Sequence, residues 1–191
     1  DMLLEIKDTS ELMVDLAYSS LLYDNKDIAE EVIQMHARMD ELGDEIEELA
    51  IKQAIEDRDS PKALSIIRMS KSVRDISYAA LRIAQVVRSD LPLHPVIELS
   101  MRDSDVIITT ATVHPSSDLA GSTLGAVRLA TNTGMFIVAI RRGRRYIYGP
   151  GRNTLLMEDD LLFARGPLDA EQYFLELAAG EEHLEAKDLL R

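Results

Sequence analysis

The sequence predicts an α+β chain in two parts, an all-α helical bundle over residues 1–91 followed by an α/β sandwich over residues 92–191. Three observations carry that reading. Upstream of Leu91 there is one glycine, Gly43, and one proline, Pro61, whereas downstream come eight glycines and five prolines. Apolar residues of the first part recur at spacings of three and four, the period of a helix packed on one face, while the second part carries β-branched runs broken by turn residues. The two styles meet at "SDLPLHP", residues 89–95, whose prolines mark a linker.

The first helix takes Leu12, Leu16, Ser19 and Leu22, with Thr9 or Ser10 as its N-cap. In the second, Ile28, Val32, Met35, Met39, Leu42, Ile46 and Leu49 step along one seam. Ser60 caps the third and Pro61 takes its first position. There Ile66, Val73, Ala80 and Val87 repeat every seven residues, with Ser70, Ser77 and Ala84 between them. Small residues let helix backbones approach, which predicts a tight antiparallel hairpin with the second helix. Three helices make a thin bundle, and a second copy of the chain covers its remaining face.

In the second part, "VIELSMR" and "DVIITTATVHP" read as strands, and "SSDLAGSTLGAVRLATNTG" as a loop and helix capped by Ser122 or Thr123 and stopped at Gly134. "MFIVAIRRG" and "RRYIYGP" form a hairpin about Gly143. "LLMEDDLLFARGP" reads as a strand pair or a bent strand, and "LDAEQYFLELAAG" as a closing helix that Asp169 caps.

Composition excludes several functions. Without cysteine there is no thiol catalysis, disulfide or thiolate-bound metal, which fits a reducing compartment. No apolar run reaches the ~20 residues that span a bilayer, and "DMLLEIKDTSEL" lacks the basic and apolar regions of a signal peptide, so the expectation is a soluble cytoplasmic protein. A net charge of −13 argues against a nucleic-acid polymer as partner. No nucleophile, base and oxyanion donors gather, so the chain reads as non-enzymatic. His36, His94, His114 and His183 lack ligand spacing, and "GSTLG" at 121–125 lacks the lysine of a phosphate loop.

Against that acidity, "IVAIRRGRRYIYGPGRN" at 137–153 gathers Arg141, Arg142, Arg144, Arg145 and Arg152 beside Gly143, Gly149, Pro150 and Gly151. Guanidiniums around glycines, where backbone N–H groups can approach a ligand, suit a phosphate or carboxylate. The alternative is solvated arginine on a hairpin. For a ligand, Ile137, Ala139 and Ile140 supply an apolar floor and Arg141 or Arg142 reaches the phosphate. Strand alternation lets only one of the two arginines share a given face. On the second helix Asp40 and Asp44 lie one turn apart, with Glu47 and Glu48 following, a spacing that lets two carboxylates face one divalent cation.

Gly121, Thr123, Leu124, Leu129, Gly134, "IVAIRRG" at 137–143, Pro150, Asn153, Leu156, Asp160, Leu161 and Gly166 stand in the order of the TrkA C-terminal (RCK-C) domain, which residues 94 to 178 closely resemble. The chain departs from that pattern at Asp159-Asp160, where the family has Gly-Asp, and a differently shaped turn is expected there. The helical part is similar to PhoU-type bundles by its helix pattern. The resemblance implies a cytoplasmic regulatory subunit of potassium or other cation transport, working beside a membrane channel or transporter subunit at the inner face of the membrane. It implies a homodimer with a ligand between paired RCK-C domains, cyclic di-adenosine monophosphate or another nucleotide. For the bundle it implies metal at an acidic motif such as Asp40 and Asp44, although the third helix, where the motif would repeat, offers only Asp75 with Ser77 and Tyr78. Three functions follow: a transport-regulatory sensor, a PhoU-like metal-binding regulator of phosphate signalling, and a dimerisation adaptor without ligand.

Overall fold

The computed structural model describes residues 2–89 and 106–184, in two compact units, Asp1–Met101 and Arg102–Arg191. The "SDLPLHP" linker beyond Ser89, the strand expected over "VIELSMR", and the boundary at residue 91 lie outside the described residues.

The first unit is a three-helix bundle: α1 (Met2–Leu22), α2 (Lys26–Asp57) and α3 (Ser60–Arg88). The α2 seam from Ile28 to Ile46 is buried against α1 and α3. Leu49 leaves the seam at 53% exposure and Ala50 takes its place. α2 runs for 32 residues against 21 described in α1, so its last turns have α3 for a neighbour and little else. A groove of about 490 Å³ opens there between Leu3, Ile46, Leu49 and Ile66.

The caps correct two expectations. α1 begins before Thr9 and Ser10, which lie inside it and return their hydroxyls to the carbonyls of Glu5 (2.6 Å) and Lys7 (2.8 Å), the bond a mid-helix hydroxyl makes when no free N–H is in reach. α3 is capped by Asp59, whose carboxylate accepts from the Lys62 N–H at 3.1 Å, and Ser60 is already helical. On α3 the small residues Ala63, Ser70, Ser77 and Ala84 are buried, while Ile66 and Val73 are half-buried at the edge of the contact.

The second unit is a four-stranded antiparallel sheet, ordered β1-β4-β2-β3, with helices on one face: β1 (Val106–Thr112), α4 (Leu124–Val127), α5 (Leu129–Thr133), β2 (Phe136–Arg142), β3 (Arg145–Tyr148), β4 (Leu161–Pro167) and α6 (Glu171–Ala179). Its core joins Ile140, Leu162 and Ala164 of the sheet to Val127, Leu129, Leu156, Phe174 and Leu177. Thr123 caps α4 as expected, but the helix is cut at Arg128, which turns left-handed at φ 46°, before α5 continues to the Gly134 cap. "LLMEDDLLFARGP" supplies one strand, β4, preceded by a loop rather than a second strand. Asp169 caps nothing: it lies in a 3-10 turn ahead of α6, which starts at Glu171, and the N-cap position is held by Ala170 without a side-chain hydrogen bond.

Gly166 has a steric reason. A Cβ there would stand 2.4 Å from Met135 Sδ and 2.8 Å from the Gly134 carbonyl oxygen, so β4 passes the end of α5 with room for hydrogen alone. Asp159 reaches φ 63°, the conformation a glycine adopts freely, so the departure from Gly-Asp leaves a left-handed turn in place. Asp159→Gly is therefore expected to leave thermal stability unchanged or raise it by up to about 1 kcal/mol, whereas Asp159→Val, β-branched at positive φ, lowers it by about 1–2 kcal/mol. Thermal melts of the two variants check the sign.

Candidate functional site

The arginine stretch divides between the two faces of the sheet. β2 pairs β4 with a bulge at Val138, so Ile137 opposes Ala164 and Ile140 opposes Leu162, both on the face packed by the helices. Ala139, opposing Phe163 and Tyr148, and Arg141, opposing Leu161 and Tyr146, point to the other face. The expected floor of Ile137, Ala139 and Ile140 is thus split, and Ala139 and Ile140 are each fully buried. On the face of Ala139 and half-buried Arg141, Tyr146 stacks on Tyr148 with centroids 5.8 Å apart and tilts against Phe163 at 6.1 Å. Pro150 is half-buried after Gly149, while Arg144, Arg145 and Arg152 are exposed around the turns.

Arg142 follows Ile140 to the helix side and meets Asp160, which is fully buried. Its Nε donates to Oδ1 at 2.7 Å, and Nη2 donates at 2.7 Å both to Oδ2 and to the Leu155 carbonyl. The Met157 N–H donates to Oδ2 at 2.9 Å, so both carboxylate oxygens are satisfied. The hydrogen bond to Asp160 raises the Arg142 guanidinium above its ordinary value against the opposing effect of desolvation. Arg142 is therefore committed to closing the 155–160 loop onto β2, and Arg141 stands apart from it on the opposite face. In the sequence Asp160 showed only as a turn residue; a carboxylate beside the apolar Leu161 and Leu162 was the available sign that a cation must meet it.

The acidic stripe of α2 is engaged from α3. Arg74 crosses α2 over Gly43, where a Cβ would lie 2.4 Å from Arg74 Cδ, and donates to Asp44 at 2.8 Å and to Glu47. Asp40 lies 3.5 Å from His36 Nε2, and His36 Nδ1 bonds the Ser77 hydroxyl at 2.8 Å. Among the described residues no group of three or more His, Asp or Glu side chains gathers in metal-binding geometry. A divalent cation at Asp40 and Asp44 would require Arg74 to leave Asp44, because a guanidinium on the same carboxylate repels it. The partner was hidden in sequence, since Arg74 lies thirty positions from Asp44.

These two geometries accompany two family matches: the PhoU domain over residues 3–87 and the TrkA-C domain over residues 108–179. The chain joins a PhoU domain to a TrkA-C (RCK-C) domain, both of them regulatory modules. Among solved structures it is similar to the RCK_C domain dimer of S. agalactiae BusR in complex with c-di-AMP, at 22% identity, over 40% of this chain and 95% of that one, with a TM-score of 0.37. It is similar to the RCK C domain of the potassium transport protein KtrA in complex with c-di-AMP, at 22% identity, over 43% and 94%, with a TM-score of 0.35. S. agalactiae BusR in complex with its busAB-promotor DNA matches at 17% identity over 66% and 67%, with a TM-score of 0.38. No curated protein matches the chain.

Arg142→Ala leaves the Asp160 carboxylate buried without its cation, and a loss of about 3 kcal/mol is expected in chemical denaturation, at the lower end for a broken buried pair because the guanidinium is partly open to solvent. Arg74→Met is expected to cost about 1 kcal/mol, as for a partly exposed pair, and to enlarge the shift in melting temperature caused by calcium, magnesium or manganese; adding Asp44→Asn removes that enlargement.

Proposed function

We propose that the chain is a non-enzymatic regulatory subunit of a potassium or other cation transport system, in which the TrkA-C domain senses a small anionic ligand. The observation that carries this reading is the TrkA-C match over residues 108–179, on the stretch where arginines surround a glycine-rich hairpin. A phosphate-bearing ligand suits that stretch: Arg141 is half-buried opposite Tyr146 of the stacked tyrosines and Pro150 is half-buried after Gly149, while Arg144, Arg145 and Arg152 raise the local positive potential. The ligand is of the cyclic dinucleotide or adenine nucleotide class. The working form is a homodimer, acting at the inner face of the membrane through a channel or transporter subunit. Among the described residues no helix is long and apolar enough to cross a membrane, so in this reading the partner supplies the membrane span.

Titration calorimetry with cyclic di-adenosine monophosphate, ATP, inorganic phosphate and a DNA duplex tests the assignment. Binding of the first is expected, with Arg141→Ala weakening it at least tenfold in a variant that circular dichroism shows to be folded, as loss of a charge-assisted hydrogen bond implies. Arg145→Ala, from an exposed position, weakens it less and chiefly at low salt. Absence of binding to any anion would return the cluster to ordinary surface, and tight DNA binding alone would replace the transport reading.

A further inference from the structure

The three helices of the bundle do not share charge evenly. α3 carries six basic side chains, Lys62, Arg68, Lys71, Arg74, Arg82 and Arg88, against the single acid Asp75. α1 is the reverse, with Glu5, Asp8, Glu11 and Asp15 against Lys7. Part of the basic charge of α3 is matched inside the bundle by α2, where Arg74 meets Asp44 and Glu47 and Arg88 meets Glu30. Arg68 and Arg82 are exposed along one edge of an apolar strip that the core does not use, with Asp75 between them.

That strip has helical period. Met69, Ser72, Ile76, Ala79, Ile83 and Val86 alternate in steps of three and four, a second seam beside the buried one. Met69, Ile76 and Val86 are 45–47% exposed, and Ser72 and Ala79, small enough for close helix approach, are exposed with them. Ile76 forms the edge of a groove of about 410 Å³ between α3 and α1, lined also by Ser10, Val14, Glu11 and Asp15. Glu11 also accepts from Lys7 at 2.8 Å. The groove thus has an apolar floor and an acidic rim, and the strip next to it carries Arg68 and Arg82 along its far edge.

We propose that this face of the bundle is a two-fold interface in which α3 of a second copy lies in the α1–α3 groove. The occupant is a second copy because one surface carries both halves of the match. Arg68 and Arg82 of one chain face Asp15 and Glu11 of the other, and the two-fold axis repeats the pairs while bringing the Ile76 strips together. An acidic partner would find arginines along the far edge of the strip but an opposing acidic rim on the groove; a basic one would meet the reverse. This inference rests on the homodimer of the proposed function and locates one of its contacts in the PhoU domain.

The chain contains no cysteine, so single replacements report contacts directly. In the full chain, Ser72→Cys, Ile76→Cys and Ala79→Cys along the strip are compared under mild oxidation with Tyr78→Cys, exposed on another side of α3. Light scattering gives the mass of each. A dimer that cross-links at one or more strip positions and not at Tyr78→Cys is the expected result. Glu11→Lys with Asp15→Lys should weaken dimerisation at least tenfold, and adding Arg68→Glu with Arg82→Glu should restore it; circular dichroism establishes that each variant is folded. A dimer without strip cross-links, or with equal cross-linking at Tyr78→Cys, overturns this interface, leaves the homodimer standing and assigns the strip to a different partner. A monomer at tens of micromolar overturns both.

Discussion

The buried carboxylate of Asp160 is the constraint around which the TrkA-C domain is arranged. A charge without solvent must be matched, and the match comes from Arg142 on β2, two bonds to the carboxylate and a third to the Leu155 carbonyl. The loop before β4 is held through Met157, and the Asp160 carbonyl accepts from Val113 at the end of β1. One acid thereby ties three segments to a sheet whose β-strands meet only along their edges. The pair also determines what the arginine cluster can do, because alternation along β2 sends Arg141 to the opposite face.

The PhoU domain solves an equivalent problem with charges closer to solvent. A helix as acidic as α2 repels itself, and the relief comes from α3, through Arg74 over the notch at Gly43. Glycine within a helix costs about 1 kcal/mol relative to alanine. Here it admits a guanidinium where a methyl group would stand. The residues that in a PhoU-type pattern suggest metal are thus supplied in part with a cation belonging to the protein, and the remaining basic edge of α3 faces outward beside its apolar strip.

The helix seams, the Gly143 hairpin, the Thr123 cap and the Gly134 stop were legible in the sequence because they depend on periods and turn chemistry acting over a few residues. So were both domain families, one from turn residues in order and the other from helix spacing. The errors fall where a local signal has more than one solution. Thr9 and Ser10 suit a cap or a back-bonded helix interior, Asp59 and Ser60 are both capping residues, and the helix after Thr123 breaks at an arginine without any glycine to announce it.

What the sequence by itself determined is therefore the two-part architecture, its regulatory families and a cluster of arginines on a hairpin in an otherwise acidic chain. Only the tertiary structure decided that Arg142 holds the buried Asp160 while Arg141 lies on the opposite face of the sheet. It also decided that Asp44 has a guanidinium beside it and that α3 carries a second seam next to an acid-rimmed groove. The reason is distance: Arg142 and Asp160 are eighteen positions apart and Asp44 and Arg74 thirty, and a single bulge at Val138 changes which β2 residues share a face. Such pairings depend on how strands register and helices cross, which no local pattern of residues encodes.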